Sequence, residues 1–356
     1  INSLDDSAAC SRVRELGVDA LVDLTGHFRS NRLGVFALRA APTQITMIGC
    51  MSTTGLSEMD YRISDCALDP PSSNVWNSEK VVHLKCGAVC LSEPEFAPDV
   101  GTLPALRNNY ITFGSFHNLT KVGPEVIRVW AATLAAVPNS RLHIVAEQGS
   151  QVVERFVDLG IAKSRITVLG RVPEADYLAA HHDVDVLLDS FPYNGFTTTL
   201  LGAFMGVPCL TSLGEVPSAR TGAAVMCRLG LDEFVAPATE EIPLRAVSVC
   251  GNLHNLAGIR ASLRSSMRRN WMNGELYATE FADWLTNTLQ LQSSPKGGRP
   301  RLNLSERQLR SARREMLQAE LRSMLNSQNL PSSALEEIFR LADSSGLEFC
   351  LKPSID

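Results

Sequence analysis

Three consecutive threonines stand where the sequence changes from a buried strand to an apolar helix. The run "VDVLLDS", residues 184–190, predicts the strand, and the helix is predicted from Thr198 onward. The junction between them holds Asn194, Gly195, Phe196, Thr197, Thr198 and Thr199. A helix start presents unpaired backbone N–H groups and partial positive charge, which suits a phosphate. The residue types leave two interpretations open: a diphosphate site that Gly195 lets a ligand approach closely, or a helix cap made by one threonine.

A lysine occupies a comparable position after an earlier strand. In "FGSFHNLTKVGP", residues 113–124, the strand ends at Gly114, and Lys121 precedes a helix that begins with a proline. A lysine there could act as a point charge on a diphosphate and stabilise a leaving group as negative charge develops. An ordinary solvated lysine is the alternative interpretation.

The elements around these residues alternate between strand and helix, which predicts parallel sheets covered by helices on both faces. A first series has strand patterns at 19–26, 43–49, 60–65 and 79–84. A second series has them at 110–116, 140–146, 164–170 and 184–190. The Pro- and Glu-rich stretch 91–106 between the two series is typical of an interdomain linker.

The pattern therefore predicts three parts. Residues 1–103 form a first Rossmann-like domain with its linker, 104–290 a second Rossmann-like domain, and 291–356 a polar helical extension without assigned chemistry. The chain begins at Ile1 with a helical pattern and without the layout of a signal peptide, so we expect the first domain to be N-terminally truncated.

Composition excludes several classes of function. The net charge of −5 argues against a nucleic-acid-binding surface, and no apolar run is long enough for a membrane span. The nine cysteines are scattered, which favours reduced thiols in a cytoplasmic protein. Without a Cys/His cluster we expect no metal site.

Four segments, taken in order, resemble the catalytic region of the SPINDLY and O-GlcNAc transferase family of glycosyltransferases. They are "VDALVDLTGHFRSNRLGVFALRAAPTQITMIG", "STTGLSEMDYRISD", "FGSFHNLTKVGPEVIRVWAATLAAVPNSRL" and "LDSFPYNGFTTTLLGAFMGVPCLT". The resemblance covers roughly residues 7–290. It implies two Rossmann-like domains of the glycosyltransferase B type that face each other across a cleft, with the second domain holding most of the nucleotide-sugar.

The resemblance also implies roles for individual residues. Lys121 matches the lysine that assists departure of the nucleotide, and Thr197 and Thr198 match the threonines that bind the diphosphate. We expect further contacts to the donor from a set of neighbouring or facing residues, namely Asn118, Asn194, Gly195, Phe196, Gly55 and His117. The family's usual acid after the threonines is replaced by Leu201, and Tyr177 stands where relatives carry a histidine near the base-binding loop. No general base is assigned.

The implied reaction is inverting transfer of N-acetylglucosamine from UDP-N-acetylglucosamine to Ser or Thr of proteins, without a cofactor. Protein acceptors would be selected through upstream tetratricopeptide repeats, of which this chain has no trace. Two alternatives stay open: a protein O-fucosyltransferase that uses GDP-fucose, and a non-catalytic relative that binds nucleotide-sugars.

Overall fold

The first four strands form a parallel sheet in the order β1-β2-β3-β4. The computed structural model describes residues 3–71, 76–147, 151–170 and 172–293. The strands are β1 (Ala20–Asp23), β2 (Thr43–Thr46), β3 (Tyr61–Ser64) and β4 (Lys80–His83), with helices α1 (Asp6–Glu15) and α2 (Leu33–Ala37). Strands β2 and β3 are buried along their whole length, as expected where both faces of a parallel sheet are covered.

The second sheet has six parallel strands in the order β10-β9-β8-β5-β6-β7. They are β5 (Thr112–Ser115), β6 (Arg141–Val145), β7 (Ile166–Leu169), β8 (Val186–Leu188), β9 (Cys209–Ser212) and β10 (Val235–Ala236). The chain runs outward from β5 to β7 and then returns to the other side of β5, where β8 pairs with it. The order of the strands therefore reverses between β5 and β8, and the loops that follow these two strands border the crevice typical of such folds.

Nine helices follow the first sheet in the described part of the chain. They are α3 (Pro104–Asn108), α4 (Pro124–Ala136), α5 (Val152–Asp158), α6 (Glu174–Ala179), α7 (Thr197–Phe204), α8 (Thr221–Arg228), α9 (Ile242–Cys250), α10 (Leu253–Trp271) and α11 (Gly274–Ser293). The α/β class with two parallel sheets is thus confirmed. The predicted extension 291–356 lies outside the described residues except for the last turn of α11. The bounds of the three predicted parts stay predictions.

The last described helix returns to the first sheet, which the sequence patterns did not predict. Tyr277, Phe281 and Trp284 of α11 pack against the apolar cluster formed by the strands of that sheet. The ring of Trp284 meets Tyr61 edge-on, with the ring centroids 5.3 Å apart. Helix α11 thereby ties the first sheet to the second half of the chain.

The predicted linker is held in place by arginines of α10. Arg260 is almost fully buried and donates hydrogen bonds to the carbonyl of Gly101 and to those of Val184 and His181. Arg264 donates to the carbonyl of Pro98 over 2.6 Å. Because these bonds fix the backbone of the linker at several points, the linker is packed against the second half of the chain.

Gly114 lies in β5 where no side chain fits. A Cβ at this position would be 2.7 and 2.9 Å from the two γ-carbons of Val184. We expect Gly114→Ala to lower the free energy of unfolding by about 1–3 kcal/mol, because the added methyl group would displace Val184 and the adjacent strand β8. The control is Gly258→Ala in α10, where a Cβ meets nothing within 4 Å. That variant should gain about 0.5–1 kcal/mol, since alanine favours helix. Equal urea midpoints for the two variants would contradict this prediction.

Candidate functional site

Helix α7 begins at the end of the loop that follows β8, and no side chain caps it. Phe196 is the N-cap residue, and it makes no side-chain hydrogen bond to the first turn. The hydroxyl of Thr199 turns inward and donates to the carbonyl of Gly195 over 2.9 Å. The interpretation of the threonines as a helix cap is therefore wrong. The first N–H groups of α7 keep their bonding capacity and partial positive charge for a ligand.

The loop before α7 is anchored by the carboxylate of Asp189, which is buried at the end of β8. Oδ1 accepts hydrogen bonds from the N–H groups of Ser190 (2.9 Å) and Gly195 (2.8 Å). Oδ2 accepts one from the Thr211 hydroxyl (2.7 Å). The three bonds hold both ends of the loop at the edge of the sheet, so the position of α7 depends on this side chain.

Gly195 faces His117 and does not line the cavity. A Cβ on Gly195 would lie 2.2 Å from Cε1 of His117, so a glycine is required by the buried histidine behind the loop. The structure thus gives a packing reason for this glycine, and its close approach to a ligand stays a prediction.

His117 and Asp189 form a fully buried pair with opposite pKa shifts. Nε2 of His117 lies 3.4 Å from Oδ1 of Asp189. Burial, aided by the charge of Lys121, lowers the pKa of His117 to about 4. Burial raises the pKa of Asp189 to about 7, against the opposing effect of its hydrogen bonds. His117 is therefore neutral near pH 7, and its ring packs behind the loop at Gly195.

Lys121 reaches the same loop from the end of β5. It closes a 3₁₀ turn, Leu119–Lys121, which Asn118 caps by accepting a hydrogen bond from the N–H of Thr120. Nζ of Lys121 donates to the carbonyl of Asn194 over 3.1 Å and lies 4.1 Å from the centroid of the Tyr193 ring. Burial lowers the pKa of Lys121, and the charge of Asp189 opposes that shift.

Lys121 and the start of α7 line one cavity of about 360 Å³ between the two sheets. One wall comes from the first half of the chain and the segment after β4, the other from the second half. The lining residues are Phe28, Ile48, Gly49, Met51, Val89, Cys90 and Leu91 on one wall, and Lys121, Tyr193, Asn194, Phe196, Thr197, Thr198, Leu200, Ser218 and Thr221 on the other.

Five of the nine predicted site residues line this cavity, namely Lys121, Asn194, Phe196, Thr197 and Thr198. The other four, Asn118, Gly195, His117 and Gly55, do not line it. Gly55 is exposed with a φ of +70°. Its loop is held by Glu79, which accepts hydrogen bonds from Thr53 and Thr54. The donor-binding roles of all nine residues stay predictions.

Sequence reasoning missed Tyr193 and the apolar wall formed by Phe28, Ile48 and Met51. Ile48 has a φ of +67°, an unusual conformation for a β-branched residue, and its side chain is 43% exposed. One signal was available, because Ile48 lies two residues after the end of β2 and ligands bind outside the carboxyl ends of parallel strands.

The two departures from the family pattern have different surroundings. The aromatic ring of Tyr177 packs against Phe116 and His181. Burial raises the pKa of Tyr177 to about 12, and a hydrogen bond with the Thr198 side chain opposes that rise. Leu201 packs against the core of the second half. Tyr177 thus supports a threonine that lines the cavity, while Leu201 offers no polar atom there.

Comparison with known proteins identifies the family. The family model described as Glycosyl transferase family 41 matches residues 3–89 and 102–281. The chain belongs to this family of glycosyltransferases. A protein from Solanum lycopersicum named a probable UDP-N-acetylglucosamine--peptide N-acetylglucosaminyltransferase SPINDLY is 38% identical over 277 residues, which are 76% of this chain and 30% of that protein.

Other members are similar to different degrees. A SPINDLY protein of the same name from Arabidopsis thaliana is 39% identical over 75% of this chain and 30% of that protein. A solved mutant O-GlcNAc transferase from Thermobaculum terrenum has a TM-score of 0.75 and 34% identity, covering 81% of this chain and 56% of that chain. The chain spans about 30% of the length of the curated relatives it matches. The predicted glycosyltransferase B fold is confirmed.

The described residues also bear on the expectations about membrane spans, disulfides and metal sites. None of the helices in the described ranges is long and apolar enough to cross a membrane. The eight cysteines within those ranges are free thiols. The same ranges hold no group of three or more His, Cys, Asp or Glu side chains placed to bind a metal ion. The metal-free reaction and the cytoplasmic location stay predictions.

The shifted pKa of Asp189 predicts a measurable pH dependence. Because its folded pKa, about 7, exceeds its ordinary value of 3.8, the folded state binds more protons than the unfolded state between these values. The Asp189 contribution to stability therefore falls as pH rises through this window. Asn can accept the two N–H bonds of the loop and carries no charge. We expect the stability of Asp189→Asn relative to the wild-type protein to rise by about 1 kcal/mol or more between pH ~4.5 and ~7.5.

Denaturant unfolding at the two pH values measures this difference. His117, which is present in both proteins, acts in the opposite sense, since its lowered pKa makes stability rise with pH. A stability difference that is the same at both pH values would contradict the pKa assigned to Asp189.

Proposed function

We propose that this chain is the catalytic region of a protein O-glycosyltransferase that transfers N-acetylglucosamine from UDP-N-acetylglucosamine to Ser or Thr hydroxyls. The observation that carries the proposal is the meeting of Lys121 with the start of α7 in one cavity between two parallel sheets. A departing nucleoside diphosphate requires positive charge beside it, and both groups supply that charge without a metal ion. The choice of sugar, nucleotide and acceptor is supported by the SPINDLY relatives, which are named as probable UDP-N-acetylglucosamine--peptide N-acetylglucosaminyltransferases.

The diphosphate is placed at the first turn of α7. There it accepts hydrogen bonds from backbone N–H groups and from the hydroxyls of Thr197 and Thr198. The ammonium of Lys121 stabilises the charge that develops on the diphosphate as the bond to the sugar breaks. This stabilisation is larger in the transition state than in the bound donor, so it accelerates the chemical step.

The acceptor enters from the wall that contains Phe28, Ile48 and Met51. Its hydroxyl attacks the anomeric carbon from the face opposite to the departing diphosphate, which inverts that centre. No residue of the described part of the chain is assigned as the general base. Phe28 and Ile48 are about half exposed, so they offer apolar contact to a peptide or to the sugar.

A second donor stays open, although Leu201 does not discriminate between UDP and GDP because both nucleotides carry a ribose. An apolar side chain one turn into α7 cannot accept a hydrogen bond from a ribose hydroxyl, so a feature of the family's nucleotide contacts is absent. A fucosyltransferase that uses GDP-fucose retains the same diphosphate site and differs in the base pocket. Calorimetric titration with UDP and with GDP separates the two, because only the matching nucleotide gives saturable heat at low concentration.

Lys121→Ala tests the proposal directly. Transfer of radiolabelled N-acetylglucosamine to protein by the full-length protein should fall about 10²–10³-fold, the usual cost of removing a group that stabilises transition-state charge. The effect should fall mainly on kcat, because the charge is needed most in the transition state. The matched control is Lys163→Ala, which removes an exposed lysine from the turn before β7 and should transfer normally.

Two results would contradict the proposal. Equal transfer by the wild-type protein and Lys121→Ala would remove the role of Lys121. Saturable binding of UDP by the wild-type protein with no transfer of any sugar would instead indicate a non-catalytic relative.

A further inference from the structure

The ammonium of Lys121 is held by two neighbouring residues of one loop. The carbonyl of Asn194 accepts its hydrogen bond at 3.1 Å, and the face of the Tyr193 ring lies 4.1 Å from Nζ. An aromatic face attracts a cation at this distance. Tyr193 also lines the cavity, as Lys121 does, and is 40% exposed.

The loop fixes Tyr193 on both sides. The hydroxyl of Ser190 donates to the carbonyl of Tyr193 over 2.8 Å, and the N–H of Asn194 donates to the carbonyl of Ser218 over 2.9 Å. The side chain of Asn194 donates a further hydrogen bond to the carbonyl of Ser190. A backbone held in this way limits where the ring of Tyr193 can go, and the ring in turn limits where the ammonium can go.

The hydroxyl of Tyr193 has a different environment from the ring. Burial and the neighbouring Cys50, on the loop after β2, raise the pKa of Tyr193. The phenol is therefore neutral near pH 7 and supplies no charge to Lys121. What Lys121 meets is the ring face, which phenylalanine also provides and leucine does not.

We propose that Tyr193 is a positioning residue for the lysine of this site: its ring holds the Lys121 ammonium beside the start of α7, where a diphosphate would bind. This inference rests on the proposed function for the identity of the ligand. The contact between Tyr193 and Lys121 is independent of the proposed function, because the protein makes it without a ligand.

The contact has a consequence that a purely structural role would not produce. A ring face stabilises the ammonium and not the neutral amine, so it raises the pKa of Lys121 against the lowering effect of burial. Removing the ring should lower the pKa of Lys121 further. Binding of a diphosphate should then begin to weaken at a lower pH than in the wild-type protein.

The test compares Tyr193→Leu with Tyr193→Phe. The pKa of Lys121 is read by NMR of ¹³C-dimethylated lysines, with its resonance assigned by its absence in Lys121→Arg. We expect Tyr193→Leu to lower this pKa by about 0.5–1 unit and Tyr193→Phe to restore it. The matched control is Tyr110→Leu, which removes another tyrosine ring at 4.1 Å from a cation, Arg141, and should leave Lys121 unchanged.

UDP titration of the same proteins tests the positioning role. Tyr193→Leu should weaken UDP binding by roughly 3–10-fold, and the loss should disappear when Lys121→Ala is already present, as in a double-mutant cycle for a direct contact. An unchanged Lys121 pKa in Tyr193→Leu, or equal losses in both backgrounds, would overturn the inference. If the wild-type protein bound neither UDP nor GDP, the proposed function would fail, whereas a lowered Lys121 pKa in Tyr193→Leu would still establish the contact.

Discussion

The carboxylate of Asp189 is the fixed point from which the rest of the site is built. Buried at the end of β8, it holds the N–H groups of Ser190 and Gly195 and the hydroxyl of Thr211. Burying a carboxylate is unfavourable, and these bonds offset only part of the cost, as its raised pKa indicates. The loop it closes carries Tyr193 and Asn194, which hold Lys121, and ends in the first turn of α7. The carboxylate thus sets the distance between the two positively charged groups of the cavity.

The topology of the second sheet explains why Lys121 and Thr197 meet at all. They lie far apart in the sequence, but β5 and β8 are adjacent strands at the point where the strand order reverses. The loops after these strands diverge, because their helices lie on opposite sides of the sheet, and a crevice opens between them. The first sheet closes this crevice from the other side, and α11 joins the two halves by packing on Tyr61.

The strands and the loops that carry Lys121 and Thr197 could be predicted from sequence, because buried parallel strands and proline-started helices leave strong local patterns. Each of the eight ranges with a predicted strand pattern contains an observed strand. Features that depend on contacts between distant segments could not be predicted. No local sequence pattern indicates that Tyr193 contacts Lys121. The requirement for glycine at 195 is explained only by the ring of His117, which lies far away in the sequence. The threonine cap was a reasonable local interpretation, and it failed because the three threonines lie inside the first turn of α7 and Phe196 takes the N-cap position.

The central claim is that the first turn of α7 binds the diphosphate of a nucleotide-sugar. Amide NMR with ¹⁵N-threonine, comparing UDP with uridine, tests it most directly, since the two ligands differ only in the diphosphate. We predict that UDP shifts the amide resonances of Thr197 and Thr198 strongly and that uridine shifts them little, because backbone N–H groups at a helix start bind phosphate. Equal shifts with both ligands, or no shift at either threonine with saturating UDP, would contradict the account.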